Sequence, residues 1–136
     1  MGFDQYHEPA QELPESTRTF ARLCASLTEE AEAIGWYEQR LALEQDAEAS
    51  AIMRDAQGEE FKHFSMDLEF LLRRTPTWRK IAQGVLFQSG DIVEHGEEAE
   101  AQVLEGESSE EGEEPDSAPA ATGTSLGIGG LRGALR

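Results

Sequence analysis

The chain has 136 residues and a formal net charge of −17, and this length fits one small domain with extensions. Such a charge excludes a nucleic-acid binder, because contacts to phosphates need a basic surface that this sequence lacks. The single cysteine, Cys24, excludes an intramolecular disulfide framework. No apolar run approaches the roughly 18 residues of a membrane span, and the first residues lack a secretory signal pattern. We therefore predict a cytoplasmic protein with no membrane partner.

Residues 1–14 are polar, contain Pro9 and Pro14, and are predicted to form an N-terminal arm. A first helix is predicted from residue 15 to about residue 44, because apolar residues recur there at spacings of three and four or their sums. These apolar residues are Phe20, Leu23, Leu27, Ala31, Ile34 and Leu41. They define one stripe along the helix that another element has to cover.

A second helix is predicted from about residue 46 to residue 74. Asp46 is its expected N-cap, and the arginines at its end are stabilised by the helix dipole. Thr75 and Pro76 then predict the cap and first turn of a shorter third helix. That helix is expected to end near Ser89 and Gly90.

These elements predict an all-α fold over residues 15–94, in which an antiparallel two-helix hairpin is followed by a short C-terminal helix. A hairpin alone has a thin core, because each helix covers only one stripe of the other. Two hairpins can bury the remaining apolar surface together. We therefore predict that the chain dimerises into a four-helix bundle.

The rest of the chain divides into two segments of opposite character. Eleven acidic side chains and no Lys or Arg lie between residues 94 and 116, and such a block is predicted to be disordered. We assign residues 95–123 to this acidic linker. Residues 124–136 are instead apolar, glycine-rich and basic, a composition that favours a docking segment.

The motif with the most chemical content is Glu60-x-x-His63, together with Glu30. Helical spacing places Glu60 and His63 on one face, about 60° apart around the axis, and Glu30 falls within the apolar stripe. Ferritin-type di-iron sites take a Glu from each of two helices and a Glu-x-x-His from each of two others. This chain carries half of that set, and its oxygen and imidazole ligands suit iron or manganese. Alternatively, both glutamates lie at the edge of the stripe and are solvated.

Three residues near Glu30 allow two interpretations each. Glu29 and Glu32 flank it and either attract incoming cations or form a solvated acidic face. Trp36 is most simply a packing residue. Tyr37 lies seven residues after Glu30, two turns along the same face, where it either packs or donates a hydrogen bond near a bound metal.

Two stretches resemble the encapsulated ferritins, which are short, two-helix relatives of ferritin carried as cargo in bacterial encapsulin shells. The stretches are residues 29–40, EEAEAIGWYEQR, and residues 59–63, EEFKH. The resemblance covers about residues 5–95. Residues 126–132 are in turn similar to the peptide that loads such cargo into the shell, so one chain carries two separate signatures.

The resemblance implies a ferritin-like four-helix bundle and a ring of five dimers inside the shell lumen. Each symmetric dimer interface would hold two iron ions that are oxidised from Fe(II) to Fe(III). The ligands would be Glu30, Glu60 and His63 of both chains, and Tyr37 would lie beside the centre.

The resemblance also assigns roles outside the centre. Glu29 and Glu32 would form an outer site where metal enters, and Trp36 would restrict access. The residues implied to bind the shell protein are Leu126, Gly127, Ile128, Gly129, Leu131 and Arg132.

Two other functions remain compatible with these residues. A non-catalytic cargo protein would use the symmetric metal site only to hold its dimers together. A plain helical interaction module would bind cations loosely through its acidic segment. Fe(II) oxidation separates the leading expectation, a ferroxidase, from both alternatives.

Overall fold

The computed structural model describes residues 6–110, which form four helices and no strand. Helix α1 spans Glu15–Leu43, α2 spans Ala47–Arg74, α3 spans Pro76–Val85 and α4 spans Ile92–Glu110. The predicted all-α class is confirmed, and the first two helices have nearly the predicted ends. None of the helices in this range is both long and apolar enough to cross a membrane.

A short turn joins α1 and α2 into the predicted hairpin, whose helices pack along their length. Glu44 organises the turn, because its Oε1 accepts hydrogen bonds from the backbone N–H groups of Gln45 at 2.9 Å and Asp46 at 2.8 Å. Asp46 caps α2, as predicted, by accepting from the N–H of Ala49 at 2.8 Å. The turn is therefore fixed by its own side chains.

The hairpin core is thin in a single chain. No residue of α1 is buried, and α2 buries only Gln57, Leu71 and Leu72. Ala31, which was predicted to belong to the apolar stripe, is exposed. Trp36 is 52 % exposed, which is unusual for a large aromatic side chain.

Helix α3 begins at Pro76, as predicted, although the Thr75 side chain makes no capping hydrogen bond. The helix ends at Val85, earlier than the predicted end near Ser89 and Gly90. The backbone explains the difference, because it becomes extended at Leu86, with a ψ of 136°, and then left-handed at Phe87 and Gly90, with φ values of 63° and 112°. Such left-handed conformations do not continue a right-handed helix.

The prediction of disorder over residues 95–123 is wrong for its first part, because α4 continues to residue 110. Asp91 caps this helix through the backbone N–H groups of Val93 and Glu94, at 2.8 and 3.0 Å. Ala99 and Val103 are buried, and α4 packs against α3. Residues 111–123, like the segment 124–136, lie outside the described residues.

The contact between α3 and α4 depends on a close backbone approach at Gly84. A Cβ atom at Gly84 would lie 2.6 Å from the Cβ of Ala99, which is too short for any real contact. Glycine therefore allows α4 to pack against α3, and the buried apolar surface offsets the repulsion among the acidic side chains of α4.

Candidate metal centre

Two carboxylates and one imidazole meet between α1 and α2. Nδ1 of His63 lies 3.5 Å from Oε2 of Glu60 and 4.0 Å from Oε2 of Glu30. One ligand atom from each of the three residues lies within 4.8 Å of the other two. Among the described residues, no other group of three His, Cys, Asp or Glu side chains is this compact. The structure thus brings together the three residues that the sequence predicted as ligands.

The local fold explains why these side chains converge. Glu60 and His63 are three residues apart on α2, so both project from one face of that helix. Glu30 projects from the middle of α1, which runs antiparallel to α2 and packs against it. Each of these three side chains is therefore held by the interior of a long helix, away from the ends, which fray most easily.

The electrostatics of the group favour a cation. A hydrogen bond to Glu60, partial removal from water and the negative charge of Glu60 together raise the pKa of the Glu30 carboxyl, while His63 opposes the shift. In the absence of metal, the Glu30 carboxyl thus retains its proton more readily than an isolated carboxyl does. A divalent cation displaces that proton, because it neutralises both carboxylates at once.

The group is partly covered and open on one side. The side chains of Glu30 and Glu60 are each 22 % exposed, and that of His63 is 45 % exposed. Three protein donors do not complete the coordination shell of an iron or manganese ion, which accepts more ligands than this. The open side therefore leaves room for further ligands.

The other predicted residues lie outside this compact group. Glu29 and Glu32 are exposed on the outer surface of α1. Trp36 is exposed near Arg40. Tyr37 is partly buried, and the Arg40 guanidinium lies 5.2 Å from its ring centre. The predicted shell-binding residues from Leu126 to Arg132 fall outside the described part of the chain.

Two residues near the group were not singled out by the sequence. Gln57 is buried in α2 and donates hydrogen bonds to α1. Asp67, one turn after His63, adds a negative charge that further raises the pKa of Glu30. A signal was available for Gln57, because it lies three residues before Glu60 and four after Met53, on the inward face of α2.

An all-helical fold with a carboxylate and histidine group between two packed helices defines a ferritin-like helical protein with a candidate metal site. Residues 5–89 match the family described as EncFtn-like. The chain belongs to this family, and the resemblance to encapsulated ferritins is confirmed.

Two relatives extend this assignment. The chain is similar to an encapsulated ferritin-like protein from Rhodospirillum rubrum, with 38 % identity over 130 residues, which cover 93 % of this chain and 87 % of the relative. It is also similar to a ferritin-like protein from Thermotoga maritima, with 41 % identity over 95 residues, 70 % of this chain and 83 % of the relative. The first match therefore extends well beyond the two-helix hairpin.

A solved structure supports the fold. The crystal structure of protein ne0167 from Nitrosomonas europaea is similar to this chain, with a TM-score of 0.63 and 39 % sequence identity. The match covers 65 % of this chain and 98 % of that one. Nearly the whole of that protein thus corresponds to a part of this chain.

Proposed function

We propose that this protein is a ferroxidase, which oxidises Fe(II) to Fe(III) with dioxygen at a di-iron centre formed by two copies of the chain. The observation that carries the proposal is the compact group of Glu30, Glu60 and His63, which provides half of a ferritin-type ligand set and is open on one side. A second copy related by a two-fold axis would supply the other half, because such an interface brings the same surface of each chain together. The doubled set would contain four carboxylates and two imidazoles.

The packing of the single chain supports a two-chain site. Helix α1 has no buried residue, although it carries the stripe that includes Leu23, Leu27 and Ile34. Covering this stripe with a second hairpin would remove apolar surface from water and would also cover the exposed part of His63. One event would thus complete both the core and the ligand set.

Iron is the substrate of the proposed reaction, and dioxygen is the oxidant. Two Fe(II) ions lose one electron each, and one dioxygen molecule takes up both electrons and two protons from solvent to give hydrogen peroxide. Glu30 and Glu60 would hold the two cations close together by their negative charge, and His63 would coordinate through a ring nitrogen without its proton. The Fe(III) product then leaves the site, because an open hairpin dimer has no cavity for mineral.

Further roles follow from the family and belong to the same proposal. Tyr37 would donate a hydrogen bond near the iron ions, and Trp36 would restrict access to them. Glu29 and Glu32, both exposed on α1, would form an outer site that collects Fe(II).

The cellular setting is also part of the proposal. The relative from Rhodospirillum rubrum is named an encapsulated ferritin-like protein, and residues 124–136 of this chain have the composition of a docking segment. We place the protein in the lumen of an encapsulin compartment in the cytoplasm, as a ring of five dimers bound to the shell through this segment. The shell would then retain the ferric product.

Doping with an inactive chain tests whether one centre needs two chains. When equal amounts of wild-type and Glu60→Ala chains are randomly assorted, about one quarter of the wild-type oxidation rate is expected, since only sites with two intact halves work. Native mass spectrometry confirms the assortment, because the two chains differ in mass. A rate of one half would instead indicate that each chain holds a complete site.

A non-catalytic, metal-dependent assembly protein is the second candidate, and the same open half-site favours it. In that case Fe(II) would convert monomers into dimers without accelerating iron oxidation. Measuring oligomer mass and oxidation rate in one Fe(II) titration separates the two functions. A mass increase without oxidation supports the assembly protein, whereas oxidation above the protein-free rate supports the ferroxidase.

Deletion of residues 124–136 is expected to abolish co-purification with a co-expressed encapsulin shell protein and to leave the Fe(II) oxidation rate unchanged. The physical reason is that this segment carries the spaced apolar side chains able to occupy pockets on a shell wall, whereas the ligands lie on α1 and α2. Shell purification followed by gel analysis measures loading. Retention of the truncated chain by the shell would contradict the docking role.

A further inference from the structure

A buried glutamine links α1 and α2 one turn away from the proposed iron ligands. Gln57 is 8 % exposed, and it is the only buried polar residue in the described part of the chain. Its Nε2 donates a hydrogen bond to the backbone oxygen of Ile34 at 3.2 Å and another to Oε2 of Glu38 at 3.1 Å. Both acceptors belong to α1, so one side chain ties the two long helices together.

The hydrogen bonds of Gln57 and the three proposed ligands lie about one helical turn apart along the hairpin. On α2, Gln57 precedes Glu60 by three residues, and on α1, Ile34 follows Glu30 by four, so each spacing is about one turn. If α2 slid by one turn, about 5.4 Å along its axis, the same face of the helix would still meet α1. Glu60 and His63 would then no longer face Glu30.

Apolar packing alone specifies this register weakly, because α1 has no buried residue. A buried amide specifies it more strongly. After such a slide the amide group of Gln57 would lose its two acceptors while remaining buried, and an unpaired buried donor is costly. A single buried polar contact is known to fix helix register in this way, at some cost in stability.

We propose that Gln57 is a positioning residue for the metal site. It holds α2 in the register in which Glu60 and His63 face Glu30, and this role rests on the proposed function. Gln57 does not touch iron. It acts through the helix that carries two of the three ligands, as residues that orient metal ligands do in other sites.

The test measures the Co²⁺ affinity of the full chain by absorption spectroscopy, with Co²⁺ as a probe for the iron site. Gln57→Met keeps the side-chain length but removes the donor, and is expected to weaken Co²⁺ binding by roughly tenfold to a hundredfold. Gln39→Met is the matched control. The Gln39 amide donates to the backbone oxygen of Gly35 at 3.3 Å, within α1, so its loss is expected to leave Co²⁺ affinity unchanged.

Exchanging the amide and the carboxylate between positions 57 and 38 distinguishes a positioning role of Gln57 from a role in general stability. Gln57→Glu alone places a carboxylate against Glu38 and the carbonyl of Ile34, so it is expected to weaken Co²⁺ binding as Gln57→Met does. Adding Glu38→Gln restores one link with its direction reversed, and is expected to recover most of the affinity. If Gln57→Met does not fold, this comparison still shows whether Co²⁺ affinity depends on the hydrogen bond between the two helices.

The possible results separate this inference from the proposed function. If Gln57→Met lowers the melting temperature but binds Co²⁺ as tightly as wild type, Gln57 is only structural and the inference is wrong. The same conclusion follows if the exchange recovers none of the affinity. If the wild-type chain itself binds no Co²⁺, the proposed function and the inference fail together.

Discussion

Glu60→Ala and His63→Ala are each expected to lower the rate of aerobic Fe(II) oxidation by about a hundredfold or more. Residues that only orient a metal ligand change affinity or activity by about tenfold to a hundredfold, so loss of a direct ligand should reach or exceed that range. In a two-chain centre the loss is doubled by symmetry, because each substitution removes two ligands. The initial rate of Fe(III) formation in air, followed by absorbance, measures the effect.

Glu59→Ala is the matched control for Glu60→Ala. Glu59 is the preceding residue on α2, but it is exposed and pairs with Lys62 instead of the metal group. Its replacement is expected to leave the oxidation rate unchanged, since it lies on the outer face of the helix. Equal rates for the wild type, Glu59→Ala, Glu60→Ala and His63→Ala would refute the assignment of the site.

Glu30→Gln is expected to abolish iron oxidation and, at neutral pH, to raise the melting temperature of the metal-free protein by a few degrees. The amide has nearly the shape of the carboxyl and can donate a hydrogen bond to Glu60. It therefore keeps the contact that raises the pKa of Glu30 and removes the repulsion between two negative charges. Calorimetry of both chains in the presence of a chelator measures the difference.

The metal-free wild type is expected to lose stability as the pH rises through the folded-state pKa of Glu30. Folding raises this pKa above the ordinary value of 4.5, so the folded state binds the proton more tightly than the unfolded state. The resulting stabilisation is fully present below the ordinary pKa and is lost above the raised one. Over the same range metal affinity increases with pH, because the proton competes with the metal.

The Glu30→Gln variant checks this linkage directly, since it has no proton to lose at position 30. Its stability is expected to change less with pH than that of the wild type between acidic and neutral conditions. Parallel pH profiles for the two chains, or a less stable Glu30→Gln variant at neutral pH, would show that the carboxyl pair is not strained in the metal-free protein.

The sequence was sufficient to locate α1, α2 and the proposed ligands, for physical reasons that lie within each helix. The apolar spacing of α1 and the cap at Asp46 depend on residues close together in the chain. The same is true of Glu60 and His63, whose separation on a regular helix fixes their common face. Glu30 was identified because a carboxylate within an apolar stripe needs a partner or a cation.

Helix α4 could not be predicted, because acidic composition describes only the repulsion within that segment. Its stability comes from the burial of Ala99 and Val103 on α3, which requires the missing side chain at Gly84. These residues lie far apart in the sequence, and nothing local indicates that they meet. The early end of α3 likewise depends on the extended backbone at Leu86 and the left-handed backbone at Phe87, which no residue preference would suggest there.

The sequence by itself determined the helical class, the hairpin and the identity of the three proposed ligands, since periodicity and spacing within a helix are local properties. Only the tertiary structure decided which residues of α1 lie opposite which residues of α2. That register depends on the hydrogen bonds from Gln57 to Ile34 and Glu38, which cross from one helix to the other. The distance of 4.0 Å between Nδ1 of His63 and Oε2 of Glu30 follows from it. A helix periodicity repeats every turn and cannot choose between registers, whereas a single buried donor can.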